Sequence, residues 1–235
     1  LQLGTSMKEF SQINESTVQV RYEFQGEEKQ VDTSYLFLAL GREPATNSLN
    51  LESSGVSVLP SGHIQTNHFQ QSTCPTIYAA GDCAGPYEIV HIAIKQGETA
   101  ALHALGKQVR PIAYDSLLSV VFTDPQLAVV GQSPSQLKAN GINFSSASYP
   151  FDDHGKSILM DAKHGYVAVH AESETGKVLG AECVGKDAGE LIHSMSVAVG
   201  LQATVHDLLK ADWYHPTLSE IWTYPIEDLA EKIVL

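Results

Sequence analysis

Cysteine is scarce in this 235-residue chain: Cys74, Cys83 and Cys183 are the only three, with no close pair and no metal-ligand spacing among them. That spacing argues against a disulfide framework and a zinc site, so the thiols are expected to be packing residues, including Cys83 beside Asp82. Positive charge is also short. Fourteen basic against 27 acidic residues leave a formal charge of −13, which opposes binding to a phosphate backbone. No basic patch interleaved with aromatics offsets it. No apolar run approaches the roughly 20 residues of a membrane span, and Leu1-Gln2-Leu3-Gly4 lacks a charged leader region; a cytoplasmic protein is the expectation. The initiating Met is missing, which fits an excised segment of a longer chain, and Gly-x-Gly-x-x-Gly occurs nowhere.

What is present is ordinary for a packed globular core, at 43% hydrophobic residues. The run Thr76-Ile77-Tyr78-Ala79-Ala80-Gly81-Asp82 is apolar up to a glycine and a carboxylate. It predicts a strand buried on both faces whose C-terminal tip opens into a loop, the end at which ligands collect in open α/β sheets. A helix is expected from about Ile89 to Leu105, closed by Gly106, so Asp82 would sit near a helix N-terminus suited to phosphate. Read alone, Gly81-Asp82 serves equally well as a simple turn.

Thr17 to Phe24 alternates apolar and polar residues, predicting a half-buried antiparallel strand that turns at Gln25-Gly26. Tyr35 to Leu40 is continuously apolar and predicts a strand covered on both faces, ended by Gly41-Arg42-Glu43-Pro44. Residues 47–74 are rich in turn formers and predict a crossover. His63 and His68 lack the further ligands that a metal site needs. After Pro111 the pattern changes: strands are expected at 120–122 and 127–130, a capped helix at Ser133-Pro134, and a hairpin joining strands 166–170 and 178–184. Asp187 and Thr204 are expected to cap two more helices. Strands first and helices afterwards suggest an α+β unit.

His215-Pro216-Thr217-Leu218-Ser219-Glu220 is the most suggestive polar group. With Pro216 at a first helical position, His215 would fall at the cap and Glu220 one turn in, where its carboxylate can accept the Nδ1 proton and aim Nε2 outward. A general acid/base needs that arrangement. Read alone, the same residues more often form a capping histidine with a solvated glutamate.

Together, Leu38 to Pro44, Thr76 to Asp82, Val121 to Gly131 and His215 to Glu220 resemble the flavoprotein disulfide reductases, the dihydrolipoamide dehydrogenase branch most of all. The resemblance implies an α/β part, an incomplete FAD- and NAD(P)-binding Rossmann-like region, followed by an α+β interface domain. Residues 1–48 would end the NAD(P) domain, 49–113 would be the second part of the FAD domain, and 114–235 the dimerisation domain. It implies FAD held by Gly81 and Asp82, with Glu88, Ile89, Val90 and His91 against the flavin ring and Gly41 near the nicotinamide nucleotide. His215, oriented by Glu220, would be the acid/base for substrate thiols and would act in the partner subunit's site, so a homodimer is implied. In that family a hydride passes between NAD(P)H and flavin, and the electrons pass on through a cysteine pair to a disulfide. Neither that pair nor the glycine fingerprint is in this sequence, so the chain is expected to be the C-terminal half of such an enzyme, inactive and free of cofactor by itself. The alternatives are a non-catalytic dimerisation or scaffold module, or a related flavoprotein reductase with another disulfide substrate. Trp213 and Tyr214 either reshape the disulfide channel or pack at the dimer interface, and Pro225 is expected to interrupt the last helix.

Overall fold

The structure is a computed structural model and describes residues 2–233. Strands β1 (Ser6–Asn14), β2 (Thr17–Phe24) and β3 (Glu27–Thr33) form an antiparallel meander in that order. The alternation in β2 turns Val20 inward opposite Phe10 and Val31, and Gln25 and Gly26 adopt left-handed backbone to reverse the chain.

The next two expectations fail. Tyr35 to Leu40 is no strand, and Phe37 is 90% exposed. An all-apolar run is buried only between neighbouring strands under covering helices, and the described residues offer it neither. Thr76 to Asp82 is likewise no sheet strand: Tyr78 forms one isolated bridge with Gln71, and Gly81–Cys83 is a 3-10 turn. Pairing stops there because the facing segment at Gln70 and Gln71 turns away, with Gln70 itself in left-handed backbone. Ala79 and Ala84 still close a small core with Val56 and Ile64.

Helix α1 (Val90–Ala104) follows as its periodicity requires, burying Ile92, Gln96, Thr99 and Ala100 along one stripe and ending at Gly106 with φ +66°. Strands β4 (Leu118–Val121) and β5 (Gln126–Gly131) then open a second antiparallel sheet. Helix α2 (Pro134–Ala139) carries the expected capping box from Ser133 to Gln136. β6 (Phe144–Pro150), the short α3 (Gly155–Leu159), β7 (Tyr166–Glu172) and β8 (Val178–Gly185) complete a sheet ordered β4-β5-β8-β7-β6. Gly165 is obligatory where β7 begins: its φ is +110°, and a Cβ there would collide with the Val184 carbonyl.

Helix α4 (Ala188–Leu201) covers β5 and β8, α6 (Thr223–Lys232) packs on β6 and β7, and α5 (Val205–Leu208) packs on α6. Thr204 caps α5 as expected. Asp187 makes no side-chain cap, because its left-handed backbone (φ +56°) departs from the extended geometry that a capping side chain needs. Pro225 does not interrupt α6; it lies in the helix's first turn, where no intrahelical donor is lost. The core joins Val167, Val169, Ile192, Met195, Ile221, Trp222, Ile226 and Leu229, and the Trp222 indole donates to the Leu191 carbonyl at 3.1 Å. Cys183 is sealed in this core, and burial pushes its thiol up to about 12; Cys74 and Cys83 are only half-buried. The mixed α/β and α+β composition is as expected, with both sheets antiparallel.

Two histidines lie almost wholly inside. His170 on β7 meets the Ser146 hydroxyl at 2.8 Å, and His154 precedes α3 with Nδ1 at 2.7 Å from the Ser157 hydroxyl. Desolvation lowers both from the usual 6.5, with Glu182 and Glu220 respectively pulling back. The unfolded chain therefore binds protons before the folded chain does as pH drops, so their stabilisation is present above 6.5 and fades below it. Calorimetric melts at about pH 7.5 and about pH 5.5 should show the lower midpoint at the acid value, with a smaller gap in His170→Gln. A gap unchanged by that substitution would assign the effect elsewhere.

Candidate active site

His215 and Glu220 come together, though by a different turn from the one their sequence suggests. Pro216 does not start a helix; it follows a cis His215–Pro216 peptide, and the helical turn begins only at Ser219. Thr217 sets this register: its hydroxyl donates to the Tyr214 carbonyl at 2.8 Å and accepts the Glu220 N–H at 3.3 Å. Glu220 nevertheless meets His215, with Oε2 at 2.8 Å from Nδ1. The carboxylate is buried while the imidazole is 80% exposed, so Nε2 is left free to meet a substrate. Such a pair can take up and release a proton at Nε2 while the ring stays in one tautomer.

A third group stands behind the pair. His154 Nε2 lies 3.4 Å from the other carboxylate oxygen of Glu220. Its ring meets Tyr224 edge-on, and Tyr224 stacks on Tyr149 with centroids 3.9 Å apart. Trp213 is half-buried against the core and donates to the Leu208 carbonyl, whereas Tyr214 is exposed.

Of the residues expected around the cofactor, Gly81, Asp82, Glu88, Ile89, Val90 and His91 gather at the start of α1. Gly81, at φ +78°, donates its N–H to the buried Gln96 Oε1 at 2.6 Å, and Gln96 Nε2 returns to the Gly85 carbonyl at 2.8 Å. This clamp fixes the Gly81–Gly85 turn against the helix. Ile89 supplies no side-chain cap and the first turn carries no acid, so the helix N-terminus keeps its bias toward negative charge. His91 Nε2 is buried without a hydrogen-bond partner, and desolvation chiefly, aided by Lys95 and His193, lowers its pKa. Gly41 sits at φ +104°, and its neighbour Arg42 links the two acids: Nη2 is 3.2 Å from Asp82 and Nε 3.5 Å from Glu88. A half-exposed carboxylate acceptor, a helix N-terminus without a side-chain cap and a glycine turn packed on Ala93 are a set of groups that fits a flavin nucleotide. Among the described residues no group of three His, Cys, Asp or Glu could hold a metal.

Two family models cover most of the chain: "Pyridine nucleotide-disulphide oxidoreductase" over residues 1–97, and the dimerisation domain of the same family over residues 117–225. The chain belongs to that family. It is 33% identical over 204 residues to the dihydrolipoyl dehydrogenase of Bacillus subtilis, covering 87% of this chain and 43% of that protein. The corresponding enzyme of Thermus scotoductus is 36% identical over 196 residues, covering 83% of this chain and 42% of its own. Among solved structures, LpdA of Mycobacterium tuberculosis superposes with a TM-score of 0.86 at 28% identity, over 96% of this chain and 48% of that one. The HOCl-induced flavoprotein disulfide reductase RclA of Escherichia coli shares the fold, with a TM-score of 0.79 at 24% identity over 91% of this chain and 48% of that one. The chain thus spans about half the length of the relatives it matches.

In this chain three contributors escape sequence reading. Arg42 stands inside the Leu38–Pro44 motif but shows no partner until the fold brings Asp82 and Glu88 to it. Gln96 was legible in principle as a polar residue on the inward stripe of α1. His154 carries no motif. Because the Arg42 side chain is 70% exposed, replacing it with Ala should leave stability within about 1 kcal/mol. Urea unfolding checks this; a larger loss would make Arg42 a structural brace.

Proposed function

We propose that the chain forms part of an FAD-dependent NAD(P)H:disulfide oxidoreductase of the dihydrolipoyl dehydrogenase type. The observation that carries this reading is the buried Glu220 holding His215 by Nδ1 at 2.8 Å with Nε2 free, in a chain whose relatives bear that name. FAD, when bound, supplies the two-electron exchange between the nicotinamide and the thiol chemistry. Residues 49–113 are the flavin-facing unit: Gly81 admits the backbone, Asp82 accepts hydroxyl hydrogen bonds, and Glu88, Ile89, Val90 and His91 line the approach with the helix amides behind them. Gly41 belongs to the nucleotide side, at the end of the NAD(P) unit formed by residues 1–48. Residues 114–235 make the homodimer contact.

His215 Nε2 takes the proton of a substrate thiol as its thiolate forms and attacks a disulfide, and returns a proton to the departing sulfur in the reverse sense. Glu220 keeps the imidazolium in register and stabilises its charge. Net, one disulfide, one NAD(P)H and one proton become two thiols and NAD(P)+. In the complete enzyme, His215→Gln should lower turnover of a disulfide substrate by about 10²- to 10⁴-fold and leave the flavin spectrum intact. Unchanged turnover would remove His215 from the chemistry.

A second reading, a dimerisation module without catalysis, is favoured for these 235 residues taken alone by their lack of Gly-x-Gly-x-x-Gly and of a close cysteine pair. The purified chain should be colourless, inactive toward disulfides and dimeric by light scattering. A stoichiometric flavin absorbance would contradict the first expectation, and a strict monomer the last.

A further inference from the structure

The Glu220 carboxylate is claimed on one side only by the exposed His215. Its backbone is well held, since the N–H donates to Thr217 and the carbonyl accepts from Thr223 at 2.8 Å, but those bonds leave the side chain free to rotate. Among the described residues, the polar neighbour of Oε1 is His154 Nε2 at 3.4 Å. That nitrogen is buried in a ring 1% exposed and, at this separation, makes no hydrogen bond of ordinary geometry. An orphaned buried nitrogen needs an explanation, and the ring's surroundings give one.

Nδ1 of His154 meets the Ser157 hydroxyl at 2.7 Å. Were Nε2 bare, its lone pair would face an anion; with the proton on Nε2, Nδ1 accepts from Ser157 and an N–H faces Glu220. The charged and titratable groups around the ring are Glu220 and His215 from the 215–220 turn and Tyr224 from α6; Tyr149 on β6, with its hydroxyl on Asp153, lies beyond Tyr224. Desolvation lowers the His154 pKa and the nearby His215 lowers it further, while Glu220 opposes both. Burial thus favours the neutral ring, whose Nε2–H would face the carboxylate.

We infer that His154 is a positioning residue for the acid/base pair: its Nε2–H, anchored through Ser157, fixes the Glu220 carboxylate, which in turn fixes the tautomer of His215. The inference rests on the reading of His215 and Glu220 given above. It adds a buried imidazole that touches neither substrate nor cofactor. Without it, the described residues leave Oε1 no polar neighbour and the carboxylate would be free to turn from His215.

The test uses the 235-residue chain with nitrogen-15 histidine. Long-range proton–nitrogen spectra at about pH 8.5, where imidazole is neutral, report which ring nitrogen carries the proton. In the parent, His154 should be protonated on Nε2 and His215 on Nδ1. His154→Phe should lower the ratio of Nδ1–H to Nε2–H at His215 roughly two- to tenfold, the factor equivalent to one ordinary hydrogen bond. His154→Gln, whose amide can donate in the same place, should hold that ratio near the parent value. An unchanged ratio in a folded His154→Phe overturns the inference, as does equal loss in both variants, which would mark a packing effect. If His154→Phe does not fold, the tautomer of His154 in the parent decides, because a proton on Nδ1 excludes the donor role. Glu220→Gln separates the two levels: loss of the His215 bias there with none in His154→Phe leaves the pair standing and removes His154. Bias retained in Glu220→Gln removes the pair and the inference with it.

Discussion

The turn at Ser219–Trp222 is the constraint on which the second half of the molecule depends. It drives Ile221 and Trp222 wholly into the core between α4 and α6, and burying two large apolar side chains contributes several kcal/mol, about 1.5–3 for each. The indole proton reaching the Leu191 carbonyl then locks the turn to α4. Glu220 lies between Leu218 and Ile221 on this turn and is carried below the surface with them. A carboxylate so placed is costly unless partnered, and its partners are two imidazoles. The site's geometry thus follows from packing that has no chemistry of its own.

The α1 end shows the complementary case. There the order is made by one buried amide, Gln96, which satisfies backbone groups of the Gly81–Gly85 turn and the Tyr114 hydroxyl together. Tyr35, Phe37 and Leu40 earlier in the chain, and Val90 and Ile94 on the helix, are all exposed. Arg42 spans Asp82 and Glu88 and holds two acids beside an N-terminal helix turn.

Much of this was legible in the chain. The β2 alternation, the α1 stripe, the Ser133 capping box and the 166–184 hairpin follow local rules, because their hydrogen bonds close within a few residues. Tyr35 to Leu40 and Thr76 to Asp82 were misread as strands, since a continuous apolar run specifies that it should be covered and cannot say by what. The prolines differ from their local reading too: Pro216 fits a helix start and Pro225 a helix break, but the helical turn begins only at Ser219, after the Thr217 hydroxyl, and Pro225 lies in the first turn of α6.

The sequence by itself determined the family, the β2 strand and its turn, helix α1, the 166–184 hairpin, and a spacing that allows Glu220 to reach His215, because motif spacing and side-chain period are properties of the chain. Only the tertiary structure decided that His154, 66 positions before Glu220, backs the same carboxylate, and that Arg42 reaches both Asp82 and Glu88. Those contacts join residues distant in sequence. No local pattern encodes them, because they exist only once buried side chains have fixed the distance between one element and another.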